Sequence, residues 1–171
     1  KCPKCGHLHE MNVWSSITAH DSPDLKKELL MRKINIFRCD DCSQQALIPS
    51  PLLYHDSEKK LLISFTPCNE SDKKLSLFTQ IKEASKESGE LSDYEDYNLR
   101  FVTDYDELME KILIFDNGLH DKVIEVLKVL ILSQEPDKAD NRCALFGKRT
   151  PDGLEFLVKD TKENQFYTSK I

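Results

Sequence analysis

This sequence has no excess of positive charge. Among its 171 residues, 24 are lysine or arginine and 30 are aspartate or glutamate, which gives a formal net charge of -6. A non-specific nucleic-acid binder carries a basic surface that displaces counterions from phosphates. The composition therefore argues against that class of protein. A nucleic-acid contact would need a local basic face near the N-terminal cysteines, which would be formed by Lys1, Lys4, Arg32, Lys33 and Arg38.

A membrane-spanning run and a recognisable export signal are also missing. The longest apolar stretch, VIEVLKVLIL, is interrupted by Glu125 and Lys128, so it predicts a packed helix. Six cysteines are too few for a disulfide scaffold in a chain of this length. We therefore expect a cytoplasmic protein with reduced thiols. The chain begins at Lys1 without a methionine, so we expect a processed chain or part of a longer one.

Familiar catalytic motifs are absent as well. The sequence contains no glycine-rich phosphate loop, no GxSxG, no HExxH and no EF-hand loop, which favours a protein that is not an enzyme. Two histidines have carboxylates beside them: His55 precedes Asp56, and His120 precedes Asp121. An enzyme of unknown class with a cleft near His55 or His120 is therefore an alternative. The commoner explanations are a turn closed by Asp56 and a helix start beside His120.

What the sequence does contain is two cysteine pairs of identical spacing: Cys2, Cys5, Cys39 and Cys42. Two intervening residues let both sulfurs of a pair turn toward one point, and Gly6 allows the backbone to curl behind the first pair. Four thiolates suit a closed tetrahedral zinc site. Iron in a rubredoxin-like site is the main alternative, because it uses the same ligands. A redox CxxC would be expected at a helix N-terminus, and would not need two pairs.

A filled four-thiolate shell leaves zinc no position for water or substrate, so the predicted zinc is structural. His7 and His9 follow the first pair, and we expect them to be neighbours of the site rather than ligands. Cys68 and Cys143 stand alone, and each is predicted to be a small buried hydrophobe.

Periodicity predicts an α+β fold with helices in the middle of the chain. A first helix should begin at Ser22 and Pro23. The last predicted helix, 119–132, should be the most buried element, with its charged residues facing water. The further predictions are strands at 8–17, 34–39, 59–67, 99–103, 142–148, 154–160 and 164–169, helices within 71–88 and 103–115, and a polar loop over 86–98.

The cysteine pairs and the segments that follow them resemble the CpXC family of bacterial proteins. The resemblance is carried by CPKCG, by the pair Cys39 to Cys42, by PSPLLYHDSEKKLLISFTP, and by the helical stretch LRFVTDYDELMEKILIFDNGLHDKVIEVLK. Asp40 and Ser43 stand where the family's pattern has proline and glycine, which leaves the tightness of the second turn open. The resemblance implies a zinc-ribbon domain without an assigned activity.

Together these observations predict a zinc-ribbon-containing antiparallel sheet with a central helical hairpin. The CpXC-like domain should cover 1–135, with the ribbon in 1–48 and the strand and helical part in 49–135, and terminal strands should occupy 136–171. We expect a structural-zinc binding or adaptor module that contacts protein partners. Contact with nucleic acid or the transcription machinery through the ribbon is the first alternative.

Overall fold

The computed structural model describes residues 1–68 and 94–171, together with Ser76 and Thr79. It contains helices and three separate sheets, which confirms the α+β class. The chain divides into two compact units, Lys1–Tyr105 and Asp106–Ile171. The domain boundary expected after residue 135 stays a prediction. Apart from Ser76 and Thr79, the helix predicted within 71–88 lies outside the described residues, as does most of the loop predicted over 86–98.

The first unit carries a four-stranded sheet and a separate two-stranded ribbon. Its described elements are β1 (Ser16–Thr18), α1 (Pro23–Leu30), β2 (Ile36–Arg38), β3 (Gln45–Leu47), β4 (Leu52–Asp56), β5 (Leu61–Phe65) and β6 (Asn98–Val102). The ribbon pairs β2 with β3 in antiparallel fashion, as expected. The larger sheet has the order β1-β4-β5-β6 and is mixed, because β4 and β5 are antiparallel while β1 and β6 run parallel to their neighbours.

The hairpin of β4 and β5 forms the centre of that sheet. Alternate side chains along both strands are buried, and the paired residues Tyr54 and Ile63 are each fully buried. This period-two pattern places one face of the hairpin against the core. The turn closes where the Asp56 carboxylate accepts a hydrogen bond from the amide of Lys59, at 3.1 Å. The turn predicted at Asp56 is therefore confirmed.

Helix α1 begins where the sequence predicted, because Ser22 is its N-cap and Pro23 its first residue. Proline suits this position since its fixed φ is helical and its missing amide hydrogen has no helical partner there. Leu29 is fully buried, and its carbonyl accepts a hydrogen bond from the Tyr105 hydroxyl at 3.4 Å. The helix is thereby attached to the core of the first unit.

The second unit packs helices on a three-stranded antiparallel sheet with the order β7-β8-β9. Its elements are α2 (Tyr105–Asp116, beginning at the last residue of the first unit), α3 (Asp121–Ser133), α4 (Pro136–Ala139), β7 (Arg142–Thr150), β8 (Gly153–Asp160) and β9 (Gln165–Lys170). Helix α2 ends at Asp116, and Gly118 follows it with a φ of +66°, the left-handed conformation that terminates helices. The buried core comprises Ile114, Ile124, Ile131, Ala144, Phe146, Phe156 and Val158. The predicted terminal strands are confirmed.

The orientation of α3 differs from the prediction. Asp121 is buried and the Lys128 side chain is only 14% exposed, because these charges pair with Lys111 and Glu110 of α2. Turning these charges toward α2 directs the opposite side of the helix outward, so its apolar residues are exposed: Val123, Val126, Val129 and Leu130. The expectation that α3 is the most buried element was therefore wrong.

A buried carboxylate organises the second unit. The Glu110 side chain is 2% exposed, and its Oε1 accepts a hydrogen bond from the amide of Phe146 on β7 at 2.6 Å. The ammonium of Lys128 donates to Oε1 at 3.2 Å and to Oε2 at 3.0 Å. Glu110 therefore joins α2, α3 and β7 through one side chain.

None of the helices in the described parts of the chain is long and apolar enough to cross a membrane.

Candidate metal centre

Two backbone turns of the same design hold the four cysteines. The amide of Cys2 donates to the carbonyl of His7 at 2.8 Å, and the amide of Gly6 donates to the carbonyl of Cys2 at 3.0 Å. In the second turn the amide of Cys39 donates to the carbonyl of Gln44 at 2.8 Å, and Ser43 donates to Cys39 at 2.9 Å. The second turn lies between β2 and β3, so the ribbon carries one cysteine pair at its tip.

Gly6 and Ser43 occupy equivalent positions in the two turns. Gly6 has φ of +78° and Ser43 has φ of +56°, so both are left-handed. This conformation costs a residue with a Cβ about 1–2 kcal/mol, whereas glycine adopts it freely. The second turn is thus as tight as the first, despite the serine, and it stores backbone strain.

The four sulfurs converge on one point. The Sγ atoms of Cys2 and Cys42 are 3.6 Å apart, and those of Cys5 and Cys39 are 3.5 Å apart. All four lie within 4.8 Å of one another. A tetrahedral ion with metal–sulfur bonds of about 2.3 Å separates its ligand sulfurs by roughly 3.8 Å. The donor set and its spacing therefore fit a single ion held by all four cysteines.

Backbone amides donate hydrogen bonds to cysteine sulfurs of this cluster, which favours the ionised thiolates. The amides of Cys5 and Lys4 hydrogen-bond to the Cys2 sulfur, and the Cys5 amide is the largest influence that lowers the pKa of that thiol, to about 6. The His7 amide lowers the pKa of the Cys5 thiol, but desolvation and hydrogen bonds among the neighbouring thiols outweigh it and raise that pKa to about 12. Four thiolates so close together repel, and a bound cation removes this obstacle to ionisation.

The two histidines of the opening segment lie beside the cluster. The Nε2 atom of His9 is 3.2 Å from Cys39 Sγ, and the His9 ring meets Phe37 edge-on at 5.3 Å between centroids. The Nδ1 atom of His7 is 2.8 Å from Asp41 Oδ2. Both histidines therefore lie next to the four-cysteine cluster, and the expectation that they are not its ligands stays a prediction.

The two remaining cysteines are more exposed than expected. Cys68 is half-buried and Cys143 is exposed, so the prediction of two buried thiols was wrong for Cys143. Cys143 is in β7, where the neighbouring Ala144 is buried instead. Alternation along the strand directs one of these two side chains away from the core.

Asn35 is a structural residue of the ribbon that the sequence did not reveal. Its side chain is bound at both ends to Trp14: Oδ1 accepts from the Trp14 amide at 2.8 Å, and Nδ2 donates to the Trp14 carbonyl at 2.9 Å. Asn35 is 6% exposed and has a left-handed φ of +55°. It ties the segment after the first cysteine pair to the segment before the second. The indole of Trp14 is 45% exposed, so Trp14 contributes mainly its backbone.

The two histidines considered as catalytic candidates, His55 and His120, make contacts that stabilise the fold. The Nδ1 atom of His120 accepts a hydrogen bond from the Lys122 amide at 3.3 Å, so His120 caps α3 as the helix-start explanation predicted. The ring of His55 stacks on Tyr97, and its Nε2 lies 3.3 Å from the Tyr97 hydroxyl. His55 therefore belongs to an aromatic cluster at the sheet, together with Tyr94.

A two-stranded ribbon with four convergent cysteines has the donor set and spacing of a small cysteine-ligated metal centre. The family model described as CpXC protein matches residues 1–128, and the chain belongs to that family. The match covers both cysteine pairs and most of α3. No curated protein and no solved structure matches this chain.

Proposed function

We propose that this chain is a binding or adaptor protein that holds a structural zinc ion and contacts another protein. Cys2, Cys5, Cys39 and Cys42 supply four sulfur donors, and zinc bound by all four has no open position for a substrate. Such an ion stabilises the ribbon, because its binding energy is folding energy. A reducing compartment such as the cytoplasm suits the six cysteines, which form no disulfide with one another.

The observation that supports a protein partner is the outward face of α3. Val123, Val126, Val129 and Leu130 are 57%, 59%, 65% and 53% exposed. Val123, Val126 and Leu130 have the spacing i, i+3 and i+7, which is the anchor pattern of a helix that docks in an apolar groove. The largest apolar patch on a protein surface is often a functional site.

The expected partner is a protein with an apolar groove that encloses α3. Two copies of this chain meeting through α3 alone would bury only a few hundred Å² on each side. That total falls below the roughly 1,200 Å² of a stable interface. A groove contacts the sides of the helix as well as its outward face, and therefore buries more surface per helix turn than a second helix does. The apolar character of this face does not suit phosphates.

Substitution on α3 provides the test. Val126→Asp places a carboxylate in the centre of the exposed face, whereas Val13→Asp makes the same change at a site in the first unit that is 41% exposed. Proteins captured from cells would be identified, purified and measured for affinity against both variants. We expect Val126→Asp to weaken binding at least tenfold, as loss of a central interface residue does. Val13→Asp should bind as the unchanged protein does.

Three outcomes would contradict the proposal. Equal binding by the Val126→Asp and unchanged proteins would remove α3 from the interface. Association with DNA or RNA that falls steeply with salt would favour the ribbon as a nucleic-acid surface. Robust turnover in assays across broad substrate classes would show an enzyme. Metal analysis of the purified protein decides between zinc and iron.

A further inference from the structure

We propose that His7, His9 and Asp41 form a second, open site for a divalent transition metal beside the four-cysteine centre. Their candidate ligand atoms all lie within 4.8 Å of one another. This site shares no ligand with the cluster of four sulfurs. It is also independent of the proposed binding role of α3.

The distances fit a metal that binds nitrogen and oxygen. His7 Nδ1 is 2.8 Å from Asp41 Oδ2, and His9 Nε2 is 4.0 Å from the same oxygen. An ion bound at about 2.0–2.2 Å from each ligand atom separates those atoms by roughly 3–3.5 Å. Small rotations of the side chains bring the three groups to this spacing. The ion would replace two contacts with bonds to the metal: the hydrogen bond between His7 and Asp41, and the 3.2 Å contact between His9 Nε2 and Cys39 Sγ.

The backbone of the ribbon delivers these ligands. His7 and His9 follow the first cysteine turn, and their ring centroids lie 4.7 Å apart. Asp41 lies inside the second turn, between Cys39 and Cys42. The folded ribbon therefore brings together ligands that are more than thirty residues apart in the sequence. The site is built by the same turns that position the cysteines.

His9 is oriented from both sides. Its side chain is 11% exposed, its Nδ1 lies 3.5 Å from Asp40 Oδ2, and Phe37 contacts the ring edge-on. A histidine whose second nitrogen faces a carboxylate is the usual arrangement in metal sites, because the carboxylate fixes the ring and raises the basicity of the ligating nitrogen. We therefore assign Nε2 of His9 as the ligand atom and Asp40 as its positioning residue.

Charge favours a cation at this place. A divalent ion held by four thiolates leaves that centre with a net charge of about -2, and Asp40 and Asp41 add two carboxylates next to it. A second divalent ion offsets part of this negative charge. Two imidazoles and one carboxylate select Zn²⁺, Fe²⁺, Co²⁺ or Ni²⁺ over Mg²⁺ and Ca²⁺, which prefer all-oxygen sites.

The site is open toward solvent. The side chains of His7 and Asp41 are 56% and 50% exposed. Three protein ligands leave coordination positions for water or a small anion, in contrast to the closed shell of four sulfurs. The second ion should therefore bind more weakly and exchange faster than the first.

Metal titration of the full chain tests the proposal. Protein with one zinc ion per chain would be titrated with Ni²⁺ by calorimetry, and the metal content would be counted after gel filtration by mass spectrometry. We expect one additional Ni²⁺ per chain without release of zinc. His7→Ala and Asp41→Asn should each weaken the added ion at least tenfold, the scale seen even for outer-shell changes at metal sites. Paramagnetic broadening of the His7 and His9 ring signals would locate the ion.

His20→Ala is the matched control, since His20 is an exposed histidine that lies 3.8 Å from Glu58 and outside the ribbon. It should leave the nickel affinity unchanged. The proposal is overturned if the unchanged protein takes up no second ion. It is also overturned if the His7→Ala and Asp41→Asn variants bind nickel as the unchanged protein does, or if His20→Ala weakens binding as much as His7→Ala. The conservative Asp41→Asn change keeps the test valid should His7→Ala disturb folding.

Discussion

Replacing Lys128 with methionine should destabilise the second unit strongly and in a pH-dependent way. Burial raises the pKa of the Glu110 carboxyl above its ordinary value despite the attraction of Lys128. Burial also lowers the pKa of Lys128, but Glu110 and Glu125 outweigh it and raise that pKa overall. Methionine fills the space of the lysine stem and removes the charge. Glu110 then remains in the core with the Phe146 amide as its partner from β7.

The size of the effect follows from the alternatives open to Glu110. Leaving a buried charge without its counter-charge costs about 3–5 kcal/mol. The carboxyl can escape by taking up a proton, at about 1.4 kcal/mol for each pH unit above an unfolded pKa of about 4.3. At pH 7 protonating Glu110 costs roughly 3.7 kcal/mol. The unpaired charge therefore cannot lower the free energy of unfolding by more than about this amount. A raised folded pKa gives stability that is full below the unfolded pKa and is lost as pH rises through the folded pKa. The variant should therefore recover most of its stability near pH 4.5.

Glu110→Gln should destabilise the second unit less than Lys128→Met does. The amide oxygen still accepts from Phe146, and Lys128 keeps Glu125 at 3.0 Å, so we expect a loss of about 1 kcal/mol. The double variant should be more stable than Lys128→Met alone at pH 7. Lys138→Met is the control, because Lys138 pairs with Glu135 at 2.8 Å but both side chains are more than half exposed. That pair should contribute little to stability, because water screens an exposed ion pair.

Urea unfolding at pH 5 and pH 7, with hydrogen exchange of the β7 amides, separates these cases. Hydrogen exchange reports on the second unit even if the two units unfold separately. A Lys128→Met loss below about 1 kcal/mol at pH 7, or an equal loss at both pH values, would refute the reasoning about Glu110. So would a double variant that is less stable than either single one.

Three further predictions concern the first unit. Cys2→Ser or Cys39→Ser should release the metal and lower the melting temperature, which metal analysis and calorimetry would follow; unchanged melting would contradict a structural ion. Ser43→Gly should stabilise the zinc-loaded protein by about 0.5–1 kcal/mol in urea unfolding, because relief of left-handed strain exceeds the entropy cost of glycine, and Gly6→Ser should do the opposite. Burial raises the pKa of Asp56, but the Lys59 amide and Lys26 lower it below its ordinary value overall, so its contribution is present above about pH 3.9 and is lost as pH falls. Asp56→Asn should lower the free energy of unfolding by about 1–3 kcal/mol and should make it fall less steeply at acidic pH. An unchanged fall at acidic pH would show that Asp56 does not cause it.

The parts of the fold that the sequence predicted depend on local chemistry. The spacing of the cysteine pairs determines a turn geometry, and so their convergence could be expected before the structure. Ser22 with Pro23 is a local signal that begins a helix. The long alternating strands at the end of the chain were equally clear.

The parts that it did not predict depend on partners far along the chain. The charges of α3 would face water on an isolated helix, whereas in the folded protein Lys111 pairs with Asp121 and Glu110 pairs with Lys128. Strand β4 went unrecognised although it is as long as β5, because its pairing with β1, more than thirty residues earlier, leaves no mark on the local sequence. The left-handed Asn35 and its bonds to Trp14 have no counterpart in any local pattern.

Strand β1 has a further significance because of where it lies. It is only three residues long, it forms the edge next to β4, and it falls between the two cysteine pairs. An ion that joins the pairs closes a loop around β1 and α1, which keeps this short strand near its place at little entropic cost. If such an ion were removed, the loop would open, and only the pairing with β4 and the packing of Ile17 and α1 would hold β1, so the backbone of β4 would be uncovered more often. Uncovered edges recruit strands from other molecules. Metal starvation would then threaten this protein through self-association of the sheet before the sheet itself unfolds.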